Sequence, residues 1–396
     1  MASELSGRAA IVGLGYSKLE RRSPRPLAHF AREAAEAAVA DAGLTIDDID
    51  GLGTIPNIAA YGNTGDLEGI DIVTVPNMVR MLGRERGIRW HVQTPGLCPD
   101  TIMAAAAAVA SGACTYALVW RAVNVPKGRY SDFSMAQARG EHQFRAPYGF
   151  TMPAAWQSVA LRKYMHDHGS TREDMAAFVV QNRENTQLNP KAYWCGTPLT
   201  VEDYLGAPMV ADPFCLYDCD IPVDGCVAVL LASAERARDL RQPPAYITGY
   251  AQTTWPTRGG FTDSENMWEG GAALGEKLWA SAGMGPEDID VAMLYDGFSI
   301  FLYVWLEALG FVGRGEAASY IASGATALDG ELPLNTSGCS LGEGRLHGMA
   351  QISEAVLQVT GRAGARQIEG AAHTVATVGA GTLASGGLMF SREARA

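Results

Sequence analysis

The chain is 396 residues long with a formal net charge of −12, 47% apolar residues and 19% charged ones. That length holds two domain-sized cores or one large fused core, and the balance excludes a disordered or fibrous chain. A pI near 5.1 argues against a nucleic-acid binder, and no run of about 18 apolar residues is free of charge and glycine. The opening stretch, MASELSGRAAIVGLGYSK, lacks the basic-then-apolar pattern of a secretory leader. Its apolar part is expected to be a first strand, and the cytoplasm is the expected compartment. Seven cysteines (98, 114, 195, 215, 219, 226 and 339) have no paired zinc-ligand spacing, and Cys215 and Cys219 form a lone C-x3-C. The seven histidines show no HExxH arrangement, so reduced thiols and no metal site are expected.

In chain order, the β-rich run Ala9-Ala10-Ile11-Val12-Gly13 leads to a helix over residues 26–42 that stops at Ala42-Gly43. The acidic turn Leu44-Thr45-Ile46-Asp47-Asp48-Ile49-Asp50 then feeds a buried strand, Gly51-Leu52-Gly53-Thr54-Ile55. Residues 101–112 form a helix of very small side chains, followed by the strand Tyr116-Ala117-Leu118-Val119-Trp120. A helix so poor in large side chains must pack closely all round, as one buried between two sheets does. The pattern then repeats. Ala245-Tyr246-Ile247-Thr248-Gly249 leads to a helix over residues 267–282, stopped by Ala282-Gly283. Met284-Gly285-Pro286-Glu287-Asp288-Ile289-Asp290 feeds the strand Val291-Ala292-Met293-Leu294-Tyr295, at an offset of 240 residues from the first copy. A helix over 348–361 and a strand over 373–377 complete it. Both glycines supply the left-handed residue that ends a helix, and two such matches in the same place imply a duplicated βαβ half. Residues 121–240 carry turns, aromatics and helices without a counterpart and read as an inserted cap. The expected organisation is therefore 1–120, a first core half; 121–240, an inserted loop or cap domain with the return to the core; and 241–396, a second core half.

Two βαβ halves, central buried helices and one insertion resemble the thiolase superfamily, an α/β fold layered as αβαβα. The resemblance becomes specific in Leu161-Arg162-Lys163-Tyr164-Met165, Asn189-Pro190-Lys191-Ala192, Leu199-Thr200-Val201-Glu202-Asp203-Tyr204-Leu205, Asp212-Pro213 and Asp224-Gly225-Cys226-Val227-Ala228. This series is similar to the sterol-carrier-protein branch and spans nearly the whole chain. That family condenses acyl groups through a cysteine at the start of the buried helix, where the helix dipole and N–H groups favour a thiolate. Registration on Ser111-Gly112 puts the position near Pro95, with Cys98 about three residues too late. The family's Asn-Glu-Ala-Phe motif reads Tyr295-Asp296-Gly297-Phe298, and Gly-His-Pro-x-Gly reads Gly344-Arg345-Leu346-His347-Gly348. The second cysteine is replaced by Thr377 before the turn Val378-Gly379-Ala380-Gly381. Four substitutions in an intact frame remove thiolase chemistry.

Tyr-Asp-x-Phe, with Leu306-Glu307-Ala308-Leu309-Gly310-Phe311 and Gly315-Glu316 beyond it, resembles the thiolase-like aldolases of steroid side-chain degradation. The resemblance implies retro-aldol cleavage of a bulky β-hydroxyacyl-CoA to a carbonyl compound and a small acyl-CoA. It implies tyrosines as acid and base, and no cofactor beyond the CoA thioester as substrate. A homodimer with a small OB-fold and zinc-ribbon partner, forming a heterotetramer, is implied too. Tyr295 is then expected to transfer the proton, with His347 or Arg345 and backbone N–H groups around Gly379 and Gly381 steadying the thioester oxygen. Asp296 and Tyr250 are further candidates. Arg345 stands where those aldolases place a second tyrosine; an arginine cannot be an ordinary base but can hold an enolate or a carboxylate. Competing structural roles stay open: satisfied core phenols at Tyr250 and Tyr295, a structural hydrogen bond or turn at Asp296, and a salt bridge from Arg345 and His347 to a carboxylate such as Glu343. Asn335-Thr336-Ser337-Gly338 reads as scaffold, and Arg121 and Arg145 as candidates for CoA phosphates. An atypical acyltransferase using Cys98 or Cys339, and a non-catalytic acyl-CoA-binding subunit, are the alternatives. Gly13-Leu14-Gly15 has no third glycine at dinucleotide spacing.

Overall fold

Both Ala-Gly helix stops form as left-handed turns, Gly43 at φ 80° and Gly283 at φ 59°. Each is followed by a single 3-10 turn, Ile46–Asp48 in one copy and Pro286–Asp288 in the other. The computed structural model describes residues 3–56, 67–94, 96–125, 143–256 and 263–394. The first half runs β1 (Ala9–Tyr16), α1 (Leu27–Asp41), β2 (Gly51–Thr54), α2 (Val75–Leu82), β3 (Trp90–Gln93), α3 (Cys98–Ser111) and β4 (Tyr116–Val123). Next come α4 (Pro153–His168), α5 (Arg172–Gln187), α6 (Val201–Leu205), β5 (Met209–Ala211), β6 (Phe214–Cys215), β7 (Gly225–Ser233) and α7 (Ala234–Ala237). The second half is β8 (Ala245–Trp255), α8 (Ser264–Ala282), β9 (Val291–Met293), α9 (Ser299–Ala308), α10 (Ala317–Ala322), α11 (Cys339–Gly342), α12 (Met349–Val359), β10 (His373–Val378) and β11 (Leu383–Ser391).

The strands order as β3-β2-β4-β7-β1-β8-β11-β10-β9. The series β2-β4-β7-β1 is repeated as β9-β10-β11-β8, each beginning with a parallel pair and continuing antiparallel. Among the described residues, Ala10↔Tyr246 and Ile11↔Ala245 are the pairs across the joint between the half-sheets. Helix α1 packs on β1, β4 and β7, and α8 on β8 and β11. Helix α3 lies on β2, β4 and β7 and also touches β8 and β11, while α12 lies on β9 and β10 and reaches β7. These two helices form the middle layer, so the order of layers is αβαβα and the duplication is real. Strand β4 runs on to Val123 and β7 returns at Gly225, so core strands occupy both ends of the segment 121–240, and β7 has its counterpart in β11. Between them, α4 and α5 pack on the second half: α4 against α8 and α9, α5 against α9, α10 and α11.

A buried ionic network ties α12 to the turn after it and to the segment before α11. Arg366 donates Nε–H and Nη2–H to the two oxygens of Glu354 at 3.0 and 2.9 Å, and the Thr336 hydroxyl donates to the same carboxylate at 2.8 Å. Glu343 accepts from the Ser337 hydroxyl. Burial, then Glu354, push Glu343 up to about 8, against the Ser337 bond and the charges of Arg366 and Lys191. The fold therefore binds this proton more tightly than the unfolded chain, whose carboxyl titrates near 4.5. The resulting stability is complete below that value and lost as pH rises through about 8. Thermal melts between about pH 6 and 9 should show a falling melting temperature that Glu343→Gln flattens. An equal slope in the two proteins would remove Glu343 as its source.

Candidate active site

Strand β9 ends at Met293, and the side chain of Asn335 continues its pairing for one more residue. Asn335 Oδ1 accepts from the Leu294 N–H at 2.8 Å, and Nδ2 donates to the Leu294 carbonyl at 2.9 Å. The scaffold reading of this turn stands, at a backbone φ of 47°. Tyr295 comes next, its N–H donated to Thr377 Oγ1 at 3.0 Å. Its ring stacks on Phe301, with centroids 5.9 Å apart and planes at 16°. A Cβ at position 297 would lie 2.9 Å from the phenol oxygen, so glycine there leaves the hydroxyl room. The phenols of Tyr164, Tyr204 and Tyr303 donate to Glu307, Asp218 and the Asp174 carbonyl. That of Tyr295 has no hydrogen-bond partner among the described residues. Burial, followed by Asp220, raises its pKa, while Arg345 pulls the other way.

Asp296 faces inward. It is fully buried and accepts from Ser340 N–H at 2.8 Å, Leu341 N–H at 3.3 Å, Gln351 Nε2 at 2.7 Å and Asn182 Nδ2 at 3.0 Å. Burial lifts its carboxyl to about 7 against the bonds from Ser340, Leu341 and Asn182. It ties α5, α11 and α12 to the end of β9, the structural role weighed for it.

Arg345 and His347 arrive on the loop between α11 and α12. The Arg345 N–H donates to the Ile221 carbonyl at 2.8 Å, and its guanidinium lies 3.9 Å from Asp220. The carboxylate this close to Arg345 is Asp220, while Glu343 is bonded to Ser337. His347 adopts φ 53°. Its Nδ1 accepts from Arg121 Nε at 3.0 Å and from the Nη2 group of the same guanidinium, and its carbonyl accepts from Cys98 Sγ at 3.1 Å. Burial first, then Arg121 and Arg345, hold the imidazole well below the ordinary histidine range.

Two expectations change here. Arg121 sits inside β4 at 4% exposure, so it is a buried partner of His347 and cannot meet a phosphate in solvent. Cys98 is the first residue of α3, not a loop residue before it. The reason is local: Asp100 Oδ2 accepts the Leu97 N–H at 2.9 Å and closes the first turn, where Pro99 is tolerated. Pro95, where the family's nucleophile registers, lies outside the described residues. Burial pushes the Cys98 thiol up to about 12 despite Arg121, so the helix terminus does not yield a thiolate. Cys339 is likewise buried, and its thiol is raised by burial and by Asp296.

The segment Cys219–Pro222 crosses over this loop and was not legible in the sequence. The Asp220 N–H donates to the Gly297 carbonyl at 3.1 Å, Cys219 bridges to Phe298, and Ile221 holds Arg345. Asp220 thus acts electrostatically on both Tyr295 and Arg345. Its outer side borders a cleft of about 230 Å³ walled by Trp194, Tyr217, Phe298 and Leu341, with Arg183 among its polar groups. Tyr295 is not in that wall. Gly379 (φ 99°) and Gly381 (φ 80°) form the β10–β11 turn; the Gly379 carbonyl accepts from Trp305, and the Gly381 N–H is donated to Ser385 Oγ. Tyr250 is held elsewhere: its hydroxyl is bonded to Ser3 at 2.8 Å and its N–H to Ser281 at the end of α8. Arg145 stacks on Trp156 at 4.6 Å.

Residues 263–390 match the family described as thiolase C-terminal domain-like. The chain is 36% identical to a 17-hydroxy-3-oxo-4-pregnene-20-carboxyl-CoA lyase of Mycobacterium tuberculosis, over 96% of this chain and 99% of the relative. It is 35% identical to a steroid side-chain-cleaving aldolase of Thermomonospora curvata, over 97% and 98% respectively. Among solved structures, an Ltp2-ChsH2(DUF35) aldolase superposes with a TM-score of 0.84 at 34% identity, covering 98% of both chains.

A buried, protonated thiol at position 98 predicts that no acyl-enzyme forms. Intact-mass spectra after incubation with an acyl-CoA should show the unmodified chain. An added acyl mass mapped to Cys98 or Cys339 would reinstate a covalent route.

Proposed function

The chain belongs to the thiolase-like acyl-CoA aldolases, carbon–carbon lyases of the thiolase superfamily, and we propose that Tyr295, Arg345 and His347 carry its retro-aldol step, with Asp220 beside them. The observation behind this assignment is the phenol of Tyr295, which has no hydrogen-bond partner among the described residues and feels the charges of both Asp220 and Arg345.

The raised phenol is protonated at rest, so it enters the reaction as a donor. To take the proton of the substrate's β-hydroxyl it must pass its own on, and the Asp220 carboxylate is the acceptor beside it. As the oxygen becomes a carbonyl, the Cα–Cβ electrons move onto the thioester and form an enolate. Arg345 and the imidazole Nε2–H of His347 face that oxygen charge, the kind of preorganised donor set that stabilises it most. The proton handed to Asp220 then returns to Cα, which releases the small acyl-CoA and restores both groups. The thioester is substrate, and this route uses no further cofactor.

The acyl part is bulky, of the steroid side-chain kind named for both relatives. The cleft beyond Asp220, with Trp194, Tyr217 and Phe298 in its walls, supports that reading, because flat apolar rings pack well on aromatic faces. The superposed aldolase carries a DUF35 component in its name. We take this chain to work as a homodimer with a small OB-fold and zinc-ribbon subunit, a heterotetramer in the cytoplasm. No helix among the described residues is long and apolar enough to cross a membrane.

Cleavage of a steroidal β-hydroxyacyl-CoA, followed by mass spectrometry with and without the small partner, tests the assignment. Tyr295→Phe should lower kcat about 10²- to 10⁴-fold, the usual weight of a positioned acid–base group. Retained cleavage in that variant would move the proton transfer to another residue. Trp194→Ala should raise KM for the steroidal substrate by about tenfold or more and leave a short-chain β-hydroxyacyl-CoA unaffected. Equal losses for both substrates would take the ring system out of the cleft.

A further inference from the structure

We infer that Arg121 is a positioning residue which fixes His347 as a neutral imidazole with its proton on Nε2, aimed as a donor at the substrate; the catalytic part of this rests on the role proposed above for His347. Arg121 lies in the last three residues of the core strand β4 and is 4% exposed. A guanidinium carries five donors and no acceptor, and burying one is costly unless those donors are used. Here they go to two places. Nη1–H donates to the Ile55 carbonyl just beyond β2, while Nε–H, at 3.0 Å, and Nη2–H converge on Nδ1 of His347. No carboxylate pairs with Arg121 among the described residues. The titratable and charged groups acting on it are Cys98 from α3, Arg345 from the same loop as His347, Cys226 from β7 and Tyr295 after β9.

A ring nitrogen that accepts from a guanidinium cannot itself carry a proton. The imidazole proton is therefore on Nε2, and this nitrogen has no hydrogen-bond partner among the described residues. The backbone on either side is pinned as well. The Arg345 N–H is held by Ile221, the His347 carbonyl by Cys98, and Gly348 lies so close to Val378 that a Cβ there would be 2.3 Å from it. What remains free in His347 is the rotation of its side chain, and Arg121 sets that. The guanidinium also places an uncompensated positive charge behind the imidazole. It disfavours the imidazolium and strengthens the Nε2–H as a donor to a developing oxyanion.

Ring-nitrogen NMR of the ¹⁵N-histidine-labelled protein, with the His347 signals assigned from His347→Gln, reads the tautomer independently of turnover. In the wild type, His347 should be neutral and protonated at Nε2 from about pH 5 to 8. Arg121→Met should let the ring titrate closer to the ordinary histidine value and lower kcat about 10- to 100-fold with KM little changed. Arg121→Lys should restore part of kcat and keep the low ring pKa. A wild-type His347 protonated at Nδ1, or charged at neutral pH, overturns the inference, and this holds even if Arg121→Met does not fold. So does an Arg121→Met enzyme whose ring and kcat are both unchanged. Wild-type NMR as expected, with Tyr295→Phe fully active, would instead overturn the proton-transfer assignment and leave the tautomer standing.

Discussion

The close approach of two half-sheets onto one helix is the constraint on which everything else in this molecule depends. A Cβ on Gly53 of β2 would lie 3.0 Å from Thr101 of α3, and one on Gly386 of β11 would lie 2.9 Å from Pro99 on the opposite face. Side chains at either position would force the sheets apart, a kind of overpacking that costs about 1–3 kcal/mol. The run of alanines in α3 meets the same demand from within the helix. Because the layers close this far, the start of α3 comes within hydrogen-bonding distance of the loop before α12, as the end of β9 does of β10. Cys98 reaches the His347 carbonyl, and Thr377 takes the Tyr295 N–H. The site is a consequence of layer spacing before it is a matter of particular side chains.

Within that frame, polar groups are divided between those that hold the loops and those left available to a substrate. Asp296 accepts four N–H donors, Asn335 pairs with both sides of Leu294, and Glu354 is locked to Arg366. These groups are saturated, as buried polar atoms must be. Tyr295 and His347 Nε2 are not saturated within the described residues, and they lie on adjoining loops. Satisfied neighbours hold the loops that carry these two donors, so in the proposed mechanism little reorganisation is needed when charge develops.

The duplication was legible because its signals are local and strong. The Ala-Gly helix stops, the acidic turns and the small-residue helix each follow from short-range physics, and the structure repeats them as read. The position of Tyr295 after a buried strand followed from the same pattern. The start of α3 was not legible, because the Leu97–Asp100 cap that sets it is one side-chain bond with no periodic signal, whereas Ser111-Gly112 marks the far end plainly. The partner of Arg345 was missed for another reason. Asp220 lies in an irregular segment with neither a period of 2 nor of 3.6, and only tertiary pairing with Gly297 and Ile221's bond to Arg345 bring it in. Arg121 was taken for a surface cation because a strand that runs three residues further than its apolar core cannot be told from a loop by composition.

That last difference alters the electrostatics of the whole site. A surface arginine would be screened and neutral in its effect on the chemistry. Buried in β4 without a carboxylate, Arg121 is held down to about 10 by desolvation and is still charged at neutral pH. Its neighbours respond in opposite senses. The His347 imidazole is driven neutral, and the Arg121 and Arg345 charges favour the anionic forms of Cys98 and Tyr295 respectively, while burial opposes ionisation of both. In the resting protein burial prevails, so the thiol and the phenol keep their protons, and no carboxylate among the described residues pairs with Arg121. A buried charge without such a pair is unfavourable to the fold, and in the proposed mechanism an enolate formed near it would relieve that cost. On that reading, the negative charge absent beside Arg121 at rest is the one the retro-aldol step creates.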